Sequence, residues 1–124
     1  MSELASSRAW YERVFGLDVI MEFPDDDGVV RGVAGNVPGL EPGGIALRVN
    51  VAAADGLRGY DPIAFGVADR AAIDAWIAHL DAIDVEHSPV IEASIGWIVS
   101  FHDPDGTEIR LYSWEQHGDD PETP

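Results

Sequence analysis
The segment Ala9-Trp10-Tyr11, followed by Val14 and Leu17-Asp18-Val19, returns 66 positions later as Ala75-Trp76-Ile77, followed by Leu80 and Ile83-Asp84-Val85. In a chain of only 124 residues, that echo points to one structural unit written twice. Each copy sets apolar residues at helical spacing and then a β-branched residue that opens a strand, so the unit is a helix feeding a sheet. One copy alone, at about 60 residues, is marginal in size for a core of its own, and the two are expected to share one.

Along the chain, 2–15 reads as the first helix, with Leu4, Tyr11, Val14 and Phe15 toward one side and Gly16 as its C-terminal stop. Strands are expected at 17–23, 29–33 and 45–51. Between the first two, Pro24 to Gly28 holds three consecutive aspartates. No bidentate Glu closes that loop, so it reads as an acidic hairpin turn in preference to a calcium site. Asn36 to Gly44 is a loop by its turn residues. In 45–51, Ile45, Leu47, Val49 and Val51 share one face, and Ala46, Arg48 and Asn50 the other.

The small, polar stretch 52–61 reads as the joint between the copies. The second copy opens with a strand at Ile63 to Val67, Asp69 caps the next helix, and Ile73, Trp76, Ile77, Leu80 and Ile83 form its apolar stripe. Trp10 and Trp76 read as core residues. A weak strand at 89–95 precedes stronger ones at 97–101 and 107–114, the last two joined by the turn Asp103-Pro104-Asp105-Gly106. The tail 115–124 is polar and acidic, and is expected to be mobile. The first copy has no counterpart of the strand at 63–67, so either the chain starts inside its first module or the sheet is completed otherwise.

Twenty-three acidic residues stand against seven basic ones, all arginine, for a formal charge of -16. Nucleic acid and anionic membrane are therefore poor partners, since phosphate contacts need clustered Lys and Arg. No apolar run is long enough to span a membrane, and the N-terminus carries acidic residues where a signal peptide would be basic, which points to the cytoplasm. With no cysteine there is neither a disulfide framework nor a thiolate ligand.

Three segments resemble the vicinal oxygen chelate superfamily of glyoxalases, extradiol dioxygenases and bleomycin-resistance proteins: AWYERVFGLDV, then DPIAFGVADRAAIDAWIAHLDAIDVEHSPV, then GWIVSFHDPDGTEIRLY. The resemblance implies an α+β fold in which paired βαβββ modules form a cup, with the first strand of module 1 missing here. It implies one glyoxalase-like domain over 1–124, module 1 at about 1–54 and module 2 at about 61–114. Enzymatic members hold a divalent metal in the cup on His, Glu or Gln from the first and last strands of each module.

Carried over residue by residue, that ligand set fails. The opening strand is missing, and the next ligand strand offers Ala46, Arg48 and Asn50 to the cup. Where relatives often read Asp-His, this chain has Asp61-Pro62, and Arg110 stands at the usual glutamate. Proline offers no ligand atom and a guanidinium repels a metal. The expectation is a cup with no catalytic metal and no cofactor.

The candidate binding residues are Arg48, Asn50, His102, Glu108, Arg110, Tyr112 and Trp114. His79, His87, His102 and His117 show no metal-ligand spacing, and His102 is a candidate to face the cup. Glu108 shares a strand face with Arg110, so an internal ion pair is one reading; the other is an anion site built from Arg48 and Arg110 together. Three functions follow: a metal-independent small-molecule binder, with an anionic ligand among the candidates; a metal-dependent glyoxalase-like lyase, isomerase or dioxygenase with an unusual site; or a member reduced to a protein contact. A homodimer is expected, because a module without its opening strand leaves an edge to be covered.

Overall fold
A computed structural model describes residues 1–40 and 43–115. It is an α+β structure whose described residues form α1 (Leu4–Phe15), β1 (Asp18–Pro24), β2 (Val30–Asn36), β3 (Gly44–Arg48), α2 (Val51–Gly56), β4 (Ile63–Val67), α3 (Arg70–Ala82), β5 (Ile91–Glu92), β6 (Trp97–His102) and β7 (Glu108–Ser113). By its internal contacts the chain divides into two compact units. The first is Met1–Arg58 with Asp103–Thr107, and the second is Gly59–His102 with Glu108–Pro124.

In the first unit, β1, β2 and β3 form an antiparallel sheet in that order. Helix α1 lies against β2 and β3, and the core gathers Val14 and Phe15 of the helix with Val33 and Leu47 of the sheet. The helix starts at Leu4 rather than Ser2, because Glu3 takes the N-cap and accepts from the amide of Ser6. It stops at Gly16, whose left-handed φ of 69° lets Gly16 N and Leu17 N return to the carbonyls of Glu12 and Tyr11.

In the second unit the sheet order is β4-β7-β6-β5, with β4 parallel to β7 and the other pairs antiparallel. Helix α3 packs on β6 and β7, burying Ile73 and Leu80 among the elements that carry Val99, Phe101, Ile109 and Leu111. Asp69 caps it by accepting from Ala72 N at 2.9 Å. Trp10 and Trp76 are each the seventh residue of their helix, so the repeat maps onto equivalent elements.

The extra strand of the second unit is β4, beside β7. In the first unit the corresponding flank of β3 carries only a short stretch of backbone: the Met1 amine donates to Arg48 O at 3.1 Å and Asn50 N donates to Met1 O at 2.8 Å. Among the described residues, β3 is otherwise a sheet edge.

Several expectations need correction. The stretch read as a joint contains α2, which Asn50 caps by accepting from Ala53 N at 2.9 Å. The third strand therefore ends at Arg48. The strand expected over 89–95 shrinks to Ile91–Glu92, Thr107 and Trp114 fall just outside β7, and Trp10 and Trp76 are half-buried rather than core. The tail 116–124, with His117, and positions 41–42 lie outside the described residues.

The two acidic turns share one geometry. Asp25 and Asp103 each accept the amides two and four residues ahead on Oδ1, each exchange backbone bonds with the residue four ahead and the glycine three ahead, and Gly28 and Gly106 sit at φ 79° and 82°. They differ in what the second carboxylate oxygen holds. Asp25 takes Arg31 Nε at 3.0 Å, and Asp103 takes the Tyr11 hydroxyl at 3.0 Å. The guanidinium of Arg31, helped by the Val29 and Asp27 amides, holds the Asp25 carboxyl below its ordinary range.

Candidate functional site
Residues directly opposite one another in a sheet share a face. In the second unit this rule assembles Ile98, Tyr112 and Gly66 in one row, then Ser100, Arg110 and Ala64, then His102 and Glu108. The alternate residues of β6 and β7, among them Val99, Phe101, Ile109 and Leu111, are buried on the side where α3 packs. What remains is an open face with a cleft of about 390 Å³, lined by Asp61, Ala64, Ile95, Ile98, Arg110, Tyr112 and Trp114.

One side of the cleft is aromatic. The Tyr112 and Trp114 rings meet edge-on, centroids 5.2 Å apart at 73°, and Trp114 is 69% exposed. Gly66 lies beneath them: a methyl group there would stand 3.5 Å from both the Trp114 indole nitrogen and the Tyr112 hydroxyl. The glycine thus keeps the floor level under the two polar tips of the aromatic wall.

The other side is charged. Arg110 donates from Nε to Glu108 Oε2 at 2.6 Å, and Asp61 Oδ2 stands 3.3 Å from the same nitrogen. The Glu108 bond, with Asp61 adding to it, raises the Arg110 pKa above its ordinary value. His102 Nε2 lies 3.8 Å from the other oxygen of Glu108. Of the two readings of Arg110, the geometry contains the internal ion pair. The guanidinium is in contact with both carboxylates, and among the described residues no group of three or more His, Asp or Glu is disposed to hold a metal. The donor set does not fit a metal ion.

Arg48 belongs to the first unit. It ends β3 on the exposed face with Ala46, beside a hollow of about 240 Å³ that also meets Phe23, Pro24, Gly32 and Arg31. Asn50 lies just past β3, where its side-chain oxygen caps α2 by accepting from Ala53 N at 2.9 Å. The structure adds Asp61, Ala64, Gly66, Ile95 and Ile98. The alternation of β7 marked its own face, but nothing in the sequence gave the parallel register that sets Ala64 opposite Arg110 and Gly66 opposite Tyr112.

A family model described as the Glyoxalase/Bleomycin resistance protein/Dioxygenase superfamily matches residues 1–111. No curated protein matches the chain. Among solved structures, a glyoxylase/bleomycin resistance protein/dioxygenase domain from Frankia sp. EAN1pec superposes with TM-score 0.71 at 21% identity, over 93% of this chain and 91% of that one. TnmS3, an antibiotic binding protein from Streptomyces sp. CB03234, gives 0.67 at 21%, over 93% and 89%. A lactoylglutathione lyase from Agrobacterium tumefaciens gives 0.67 at 18%, over 90% and 86%. At these identities the likeness is one of fold. No helix among the described residues is long and apolar enough to cross a membrane.

Proposed function
The chain belongs to the glyoxalase/bleomycin resistance protein/dioxygenase superfamily, and from that premise we propose that it binds a small, partly aromatic molecule on the open face of its second sheet without using a metal ion. The observation that carries this reading is the guanidinium of Arg110, bonded to Glu108 and flanked by Asp61 at the edge of an aromatic cleft. Arg110 occupies the Glu108 oxygen that a metal ion would need as a ligand, while the exposed Trp114 and half-buried Tyr112 offer a surface for a ring. The antibiotic-binding TnmS3 shows that this fold serves as a binding protein elsewhere. Arg48, on the open face of the first sheet, is a second candidate contact.

The enzymatic alternative, a metal-dependent lyase, isomerase or dioxygenase, has one specific point in its favour. His102 and Glu108, both ligand-type side chains, stand 3.8 Å apart. Native mass spectrometry with metal analysis, on protein purified without chelator, separates the two readings. A co-purified organic molecule with substoichiometric metal supports the binder, and one equivalent of a transition metal selects the enzyme. The same spectrum reports self-association, which belongs to this reading because β3 presents an open edge.

A further inference from the structure
We propose that the cleft on the second sheet selects a small aromatic cation, its ring against Trp114 and Tyr112 and its positive group on Asp61. This inference rests on the binding reading above and adds the sign of the ligand's charge.

One guanidinium faces two carboxylates. Its hydrogen bond goes to Glu108, whose side chain is 19% exposed, and not to Asp61, whose side chain is 37% exposed and lies 3.3 Å away as an ion pair only. Among the described residues, Asp61 accepts no side-chain hydrogen bond. Arg110 neutralises Glu108 through the shorter contact, and Asp61, which lines the cleft, is the surplus negative charge of these three side chains. A carboxylate at the rim of an apolar pocket is a stronger partner for a cation than one in open water, because the surrounding side chains lower the local dielectric. The same cation is drawn to the faces of Trp114 and Tyr112 by their quadrupoles. A formal charge of -16 adds a long-range field of the same sign. An anionic ligand would meet that field and Asp61 together, with the one local cation already paired.

The test uses the full chain and three probes that share one ring system: naphthylmethylammonium, naphthylmethanol and naphthoate, followed by quenching of tryptophan fluorescence and by calorimetry. The ammonium should bind about tenfold more tightly than the alcohol, and the carboxylate more weakly than either. Added salt should reduce the ammonium's advantage, and Asp61→Asn should remove most of it. Equal binding of all three probes, tighter binding of the carboxylate, or an ammonium preference undiminished by Asp61→Asn overturns the inference while the binding face stands. Failure of all three to bind, or binding unaffected by Trp114→Ala, overturns the binding reading and this inference with it.

Discussion
His87 and Asp81 are joined by a 2.6 Å bond between Nε2 and Oδ1, while the other ring nitrogen of His87 reaches the Ser88 carbonyl at 2.6 Å. Both partners are acceptors, so both ring nitrogens must donate and the imidazolium is the favoured form. The Ser88 carbonyl and then Asp81 raise the His87 pKa above its ordinary value.

The sign of the pH effect follows. A raised histidine pKa contributes stability that is complete below about pH 6.5 and is lost as pH climbs through the folded-state pKa. With Asp81 66% exposed, the contribution should not exceed about 1 kcal/mol. Thermal melts stepped upward from pH 6 should show this decline, and His87→Gln should flatten it. A His87→Gln profile parallel to the parent would contradict the assignment.

Tyr11 should report at the opposite end of the scale. Burial first, then the charge and hydrogen bond of Asp103, push its phenol well above the ordinary value near 10. Below that value Tyr11 adds no pH dependence; above it, the unfolded chain loses a proton that the folded chain keeps, and stability falls. Tyr11→Phe should cost about 1–3 kcal/mol at neutral pH and make alkaline unfolding in urea less steep.

Melting curves taken with chelator and with excess Ni, Mn, Zn or Fe should nearly coincide. A real site would add about 2.7 kcal/mol at metal concentrations near 100 times its dissociation constant. A reproducible upward shift with one metal, saturating near one equivalent, is the contrary result.

The open edge of β3 should pair with a second copy to give a two-fold dimer at micromolar concentration, measured by sedimentation. Val49 N donates to Arg31 O and Arg48 O accepts from the Met1 amine, so alternate residues face β2 and Ala46 faces outward. Ala46→Pro removes an outward N–H without touching the β2 ladder. It should shift the equilibrium to monomer with little change in melting temperature.

Gly96→Ala should unfold or severely weaken the second unit. Gly96 has φ 69°, and a methyl group there would run into the Ser113 carbonyl, while the next amide, Trp97 N, bonds Ser113 Oγ at 3.0 Å. A loss of more than about 2 kcal/mol in urea unfolding is expected.

Local signals carried most of the fold. Asp69, Gly16 and the Asp103 turn declare themselves by residue type, and β4 runs over Ile63–Val67 as read from the sequence. The misses share a cause. Asn50 is as good an N-cap as it is a strand residue, and the three alanines after it fit a linker or a helix. At the site, Glu108 and Arg110 are two apart on one strand and so were legible as a pair. Asp61 was not placed at the site, because its approach to Arg110 depends on β4 entering parallel to β7, a long-range choice that no spacing records.

The turn Asp103–Thr107 is a piece of the second repeat built into the first unit. Its Asp105 accepts from both the amide and the hydroxyl of Ser2, and its Asp103 from Tyr11. A gene divided between codons 58 and 59 would therefore separate this turn from the unit it belongs to. The earlier fragment would lack the acceptors for its own N-terminal donors, and the later one would export a loop whose partners it does not encode. A loop encoded in the second repeat thus completes the hydrogen bonding of the first unit.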